Sequence, residues 1–301
     1  MQDSTLFAVS PNHQQLSERY RIGMPQLSLN GLSEKWLLAE CGDRHWRLIE
    51  QAAGVVISQL RDARLRRVYP AFRSIRLRQA MLDSVIENDL VEICSTLGRV
   101  SRTQFYSKHV ISVNDGLCAV VDMLSVFIAR EKTGINSSAI RSQVSGIDNI
   151  GELAEGFQFA ERVRAIPELR QESDAQRWSR PTHSYASIPV CPCPSIHFNG
   201  AGFMYFASFH ELIDQAEWSW FGPEVSNYVT TERHIIFHGN VDIGNSVIIS
   251  LCDFERTERQ QHHHTQIIRR DDQKVIADVI TRRRARSSSK AYIENLFDLA
   301  A

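Results

Sequence analysis

Leu32, Trp36, Leu37, Trp46, Leu48 and Ile49 recur at intervals that place them on one face of a 3.6-residue helix. The spacing predicts one long helix there, with an irregularity at Gly42. Four apolar or alternating segments follow, at 64–77, 89–100, 103–113 and 117–131, and each reads as a strand. Asn114-Asp115-Gly116 supplies a tight turn between the last two. The same grammar then returns. A helix predicted from about Ala201 to Trp220 precedes strand-like segments at 232–241, 245–256, 263–270 and 274–286. Turn signals stand at Gly239-Asn240 and Arg270-Asp271-Asp272. Each half therefore predicts a helix followed by an antiparallel meander.

A short phrase marks both helix entries. Asn30-Gly31 and Asn199-Gly200 lie 169 positions apart, each leading into a run that closes on Trp. One long helix with about five antiparallel strands predicts a curved sheet wrapped around a buried helix, the α+β hot-dog plan. Two copies predict a double hot dog, with one continuous sheet around two central helices. The boundaries expected are a tail at 1–20, a first unit at 21–165, a linker at 166–194 and a second unit at 195–301. The linker is rich in Pro, Ser and charge, and the basic run at 282–290 reads as a strand end leaving the sheet.

Composition narrows the function classes. The 301 residues are 43% hydrophobic and 23% charged, as in ordinary globular chains, and the net charge of -1 gives no pull toward nucleic acid or an anionic membrane. No apolar run approaches the ~20 residues of a membrane helix, and the first residues lack a signal-peptide pattern. Six scattered cysteines do not suggest a disulfide framework, so a cytoplasmic protein is expected. Whether it forms a homodimer is left open.

The repeated Asn-Gly also suggests chemistry. At a helix start, Asn caps and Gly permits close approach, while the first-turn N–H groups present partial positive charge. Aimed at a thioester carbonyl, such groups form an oxyanion hole. Equally, Asn-Gly is a common turn before a core helix. No metal is expected: His262, His263 and His264 alternate across a strand read as solvent-exposed, and Cys191-Pro-Cys193 has the wrong spacing for zinc. His210, Glu211 and Asp214 on the second helix read either as acid/base groups or as partners of one another.

Several pieces in order resemble a known family: Gly23-Met24, Gly42-Asp43 with Trp46, "VYPAF" (68–72), "NGAGFMYFASF" (199–209) and "GNVD" (239–242). Over roughly residues 20–285 the chain resembles the double hot-dog acyltransferase/decarboxylases of leinamycin-type polyketide biosynthesis. The resemblance implies that a carboxylated acyl-CoA such as methylmalonyl-CoA loses carbon dioxide and passes its acyl group to an acyl carrier protein. CoA and phosphopantetheine would then be substrate carriers, with no resident cofactor. The family's acyl-accepting tyrosine matches Tyr69. A phenol of ordinary pKa ~10 needs help to act as a nucleophile. On an unbroken strand Arg67 and Arg73 would share its face, where they would favour phenolate, hold a substrate carboxylate, bind CoA phosphates or simply face solvent. Asn199 with the N–H groups of Gly200 and Ala201 is expected to carry the enolate oxygen. Tyr205, Arg73, Asn30 and Gly31 are expected to bind substrate.

Three other readings compete. Plain transfer of a dicarboxylic acyl group needs no decarboxylation. A hot-dog thioesterase or dehydratase is the main rival, but thioesterases of one large branch carry a carboxylate three residues before the helix-start Gly. His197 and Ser28 hold those places here. A non-catalytic module binding acyl thioesters is the third.

Overall fold

Strand β1 (Gln14–Arg21) opens the fold in the computed structural model, which describes residues 14–144, 147, 150–169 and 184–286. A small hairpin, β2 (Leu27–Ser28) and β3 (Gly31–Leu32), leads into helix α1 (Glu34–Ala53). Strands β4 (Tyr69–Arg78), β5 (Leu90–Ser101), β6 (Gln104–Val113), β7 (Gly116–Arg130) and β8 (Ala139–Arg141) follow. Helix α2 (Ala154–Leu169), strand β9 (Ala186–Val190) and the single turn α3 (Pro194–His197) come next. Helix α4 (Phe206–Phe221) then precedes β10 (Tyr228–Phe237), β11 (Val247–Arg256), β12 (Gln260–Arg269) and β13 (Val275–Ala285).

The expected α+β plan is present, built on one antiparallel sheet. Its order is β1-β5-β6-β7-β4-β10-β13-β12-β11-β9, with β8 beside β7. The two five-strand halves mirror each other about the β4–β10 seam, where Ser74–Leu77 pair with Ile236–Arg233 in reverse.

Alternation along the central strands explains the layers. Met123, Ile235 and Val279 join the main core with α1 and α4, whereas their neighbours Leu124, Ile236 and Ile280 pack with Phe159, Ala160 and Val163 of α2. The sheet is thus apolar on both faces. Leu37, Leu38, Leu48 and Ile49 on α1 are buried, each stabilising by about 1.5–3 kcal/mol relative to exposure. Ser33 caps α1 by accepting from Trp36 N at 3.3 Å, and Gly54 ends it in the left-handed region at φ 66°. The helix runs unbroken through Gly42, which instead lets Phe206 of α4 approach.

Several expectations need correction. Residues 14–20, expected in a tail, pair with β5 because Leu16 packs on the core and Glu18 meets Arg44 and Arg47. Residues 186–190, expected in a linker, pair with β11, and Ile188 and Val190 pack against the core. Helix α2 was not anticipated. His263 and His264 are buried rather than exposed, pairing with Glu217 at 3.0 Å and Asp278 at 2.8 Å. Of the 282–290 run, residues 282–285 are the end of β13; the rest beyond 286 lies outside the described residues.

Candidate active site

The two helix entries differ from the expected geometry and from each other. Asn30 and Gly31 do not start a helix: they turn the β2–β3 hairpin, three to four residues before α1. Gly31 has φ 94°, and a side-chain carbon there would lie 2.1 Å from the Leu82 carbonyl oxygen. The Asn30 side-chain Oδ1 accepts from Arg286 Nη1 at 2.8 Å. Neither residue lines the cavity described below, so their expected substrate role gives way to a structural one.

The start of α1 is filled from within the protein. Glu34, its first residue, lies beside His210 Nε2 at 3.2 Å and Arg233 at 3.5 Å. Glu217, His263 and Arg283 complete this buried cluster, with the half-exposed Asp214 at its edge. Burial alone would raise the Glu34 carboxyl, but Arg233 and His210 hold it below its ordinary value. Burial lowers His210 while Asp214 and Glu34 outweigh it, leaving its pKa at about 9. His210 and Asp214 thus serve one another, whereas Glu211 pairs with Lys35 at 2.9 Å.

The second entry opens onto a cavity of about 610 Å³ between the halves. Asn199-Gly200 belongs to a closed loop preceding α4 by six residues, not to the helix itself. Within it the Asn199 Oδ1 accepts from Ala201 N at 3.0 Å and Phe203 N at 3.1 Å, and Phe198 bridges Met204. Ala201 N is therefore committed, and Gly200 does not line the cavity, so these amides do not supply the expected oxyanion donors. The true first turn of α4 lies further on, where Phe206 and Ala207 follow Tyr205 without a side-chain cap. Asn199, Ala201, Tyr205 and Phe206 all line the cavity. Burial, with Asp43 and Glu40 adding, pushes the Tyr205 hydroxyl up to about 12, so it stays a neutral hydrogen-bond donor.

Tyr69, the first residue of β4, meets this loop from the other half. Its ring lies edge-on to Phe203 at 5.2 Å between centroids, flanked by the Arg67 guanidinium at 5.1 Å and that of Arg130 at 5.2 Å. Arg130 stacks on Phe203 at 3.7 Å and donates to the Ala201 carbonyl at 2.7 Å. Burial lowers its pKa, and the Tyr69 hydroxyl opposes that shift. Asn136 ties the assembly together, accepting from Arg130 and donating to the carbonyls of Gly202 at 2.7 Å and Val241 at 2.9 Å. Asp242, last of the "GNVD" stretch, accepts from Ser137 Oγ at 2.9 Å and from Asn136 N, so it braces the loop.

Arg73 reaches the cavity by a different route from the expected unbroken strand. A bulge separates Phe72 from Ser74 in the β4–β7 register, and Arg73 donates to the Phe237 carbonyl at 2.6 Å across the seam. Burial and the like charge of Arg141 lower its pKa. Arg67, Arg73 and Arg141 line the cavity, and none has a carboxylate at ion-pair distance among the described residues. Arg269 and Lys274 line it too, sharing Asp272. The lining contains no Asp or Glu. Other arginines of this region are in ion pairs: Arg66 with Asp62, Arg76 with Glu232 and Arg78 with Asp122.

Sequence reasoning passed over Arg130 and His238. His238 follows β10, lines the cavity, and shares a hydrogen bond through Nε2 with Asp278 at 2.6 Å. Its place directly before "GNVD" was the available signal.

Solved structures of similar shape bear on the architecture. An acyl-ACP thioesterase from Bacteroides thetaiotaomicron is 10% identical, with a TM-score of 0.61, over 90% of this chain and 98% of that one. The 12:0-ACP thioesterase from Umbellularia californica is 8% identical, with a TM-score of 0.64, over 91% of this chain and 95% of that one. The fold is a double hot dog. The likeness extends to fold alone at these identities. No family model matches the chain, and no curated protein matches it in sequence. Within this double hot dog one end is an open cavity and the other an ion-packed core.

Proposed function

We propose that the chain moves the acyl group of a carboxylated acyl-CoA, of the methylmalonyl type, to an acyl carrier protein and releases carbon dioxide. The carrying observation is a cavity with three uncompensated arginines and no carboxylate in its lining. Unpaired cations held partly out of water favour an anionic occupant. A carboxylated acyl group offers one such anion and CoA offers phosphates. The double hot-dog architecture, shared with structures named as acyl-ACP thioesterases, supports an acyl thioester as the substrate class. Hydrolysis is the weaker reading, since no carboxylate in the lining is placed to attack or to activate water.

In this reading the Tyr69 oxygen bonds to the thioester carbonyl carbon as the carbon–sulfur bond to CoA breaks, and the phenol proton leaves with the CoA thiol. Loss of carbon dioxide breaks the bond between the α-carbon and the carboxylate. Its electron pair becomes an enolate, which the first-turn amides of α4 and the Tyr205 hydroxyl stabilise, and the α-carbon then takes a proton from solvent. The carrier thiol finally displaces the acyl group from Tyr69. CoA and phosphopantetheine carry the substrate, and no resident cofactor enters.

Arg73 favours a second reading. A carboxylate ion-paired to guanidinium is stabilised in the ground state, which suits transfer of an intact dicarboxylic acyl group such as succinyl. Incubation with methylmalonyl-CoA and holo carrier protein, followed by the mass of the carrier, separates these outcomes. Propionyl-carrier is expected. Methylmalonyl-carrier means plain transfer, and free CoA with an unloaded carrier means hydrolysis.

A further inference from the structure

We infer that His238, held by Asp278, is the base that takes the proton of the incoming carrier thiol, an assignment that rests on the acyl-transfer reading above. Asp278 is fully buried, yet polar side chains converge on it. His238 Nε2 bonds to one carboxylate oxygen at 2.6 Å, while His264 Nε2 at 2.8 Å and Gln266 Nε2 at 3.0 Å reach the other. With Asp278 ionised, and so an acceptor only, the His238 proton resides on Nε2 and the Nδ1 lone pair is the ring's basic site. That pair faces the cavity: among the described residues Nδ1 makes no hydrogen bond, and the side chain is 21% exposed where it lines the cavity. His264 has the same carboxylate but is only 3% exposed, so of the two rings His238 is the one that substrate reaches.

The surroundings place this base beside the anion-binding arginine. Arg73 of β4 donates to the carbonyl of Phe237, the residue preceding His238. The other charged groups facing this wall are Arg269 of β12 and Lys274, with Asp278 of β13 behind the ring. A thioester whose carboxylate lies on Arg73 brings its reacting end to this part of the cavity.

The step balances without another reactant. The carrier sulfur bonds to the acyl carbonyl carbon while its proton passes to His238 Nδ1. The tetrahedral intermediate then collapses, the bond from carbon to the leaving oxygen or sulfur breaks, and His238 returns the proton to that atom. Asp278 stays ionised and acts as a positioning residue, fixing the tautomer and supporting the transient imidazolium.

The test is single-turnover transfer to holo carrier protein by the full chain and its His238→Gln and His238→Asn variants, from pH 7 to 9. Binding of CoA and thermal melting accompany it as controls of folding. At pH 7 the variants should load carrier about 100-fold more slowly or worse. This deficit should shrink as pH rises through the ordinary thiol pKa of ~8.5, where solvent removes the proton instead. Asp278→Asn should lower kcat at least tenfold with KM changed less than threefold. Parental rates in both His238 variants, or a deficit equal at pH 7 and 9, would overturn the assignment while leaving acyl transfer intact. If the parent binds CoA yet loads no carrier, the acyl-transfer reading falls and this one falls with it.

Discussion

A side-chain carbon at Gly42 of α1 would lie 2.3 Å from Cζ of Phe206 on α4. This contact sets how closely the two central helices pack, and Phe206 also lines the cavity. Gly42→Ala gains about 1 kcal/mol of helix propensity but forces an aromatic ring out of a packed core, a cost of about 1–3 kcal/mol or more. Urea denaturation should show net destabilisation, and the displaced ring should weaken CoA-thioester binding. Adding Phe206→Leu should recover part of the stability; unchanged stability in Gly42→Ala alone would mean that the ring moves freely.

Tyr69→Phe removes one oxygen from a ring otherwise held by Phe203, Arg67 and Arg130. Acyl transfer should be lost with the melting temperature nearly unchanged. Full activity would make Tyr69 a packing residue and remove the covalent intermediate.

Asn199 acts through its oxygen, which accepts from Ala201 N and Phe203 N. Asn199→Ala should therefore loosen the loop beneath Tyr69 and cut transfer by ~10-fold or more, while Asn199→Asp keeps the acceptor and should recover most of it. An Asp variant as poor as the Ala variant would show that the amide nitrogen, not the loop, is what the reaction needs.

Arg73→Met removes the guanidinium at the seam without adding a charge. Inhibition constants for succinyl-CoA and butyryl-CoA should converge, with the dicarboxylic ligand losing ~10-fold or more and the monocarboxylic one little. Equal losses for both ligands would assign Arg73 to CoA phosphates or to the sheet.

Stability should peak near pH 6.5. Burial holds His45 and His234 neutral down to about 3 in the folded protein, and burial, with His45 and Arg44 adding, holds His109 well below its ordinary value. Below their ordinary 6.5 the unfolded chain binds these protons first, so stability falls as pH drops from 6.5 toward 3. His210 has the opposite sign. Its pKa is raised to about 9, so its contribution is complete below 6.5 and is lost as pH climbs through 9. Melting temperatures measured from pH 4 to 10 should trace a dome, and a rise continuing past pH 9 would contradict the His210 assignment.

What the sequence disclosed tracks what is local. Strand alternation and helical spacing expose themselves over ten residues, so both central helices and the mirrored meanders were legible; Tyr69, Arg73 and Asn199, singled out by resemblance and by turn chemistry, all line the cavity. Helix α4 was placed too early because Phe203 and Met204 continue its apolar spacing while packing in a loop. Asn30-Gly31 copies the Asn199-Gly200 phrase but serves a hairpin pressed against Leu82. Arg130 and His238 left no strong signal, because their partners Ala201 and Asp278 lie 71 and 40 residues away. The burial of His263 was hidden for the same reason: Glu217, which meets it, belongs to another element.

The β4–β10 seam carries an evolutionary consequence. Two identical chains paired across such a seam would be bound by symmetry to keep both ends alike. Joined in one polypeptide, the halves are released from that obligation, and each position can mutate without a twin. Here Glu34 closes the entry to α1 while the entry to α4 stays open. Fusion thus permits a division of labour: one end is free to accumulate ion pairs for rigidity, and the other to change its specificity without carrying the fold's stability alone.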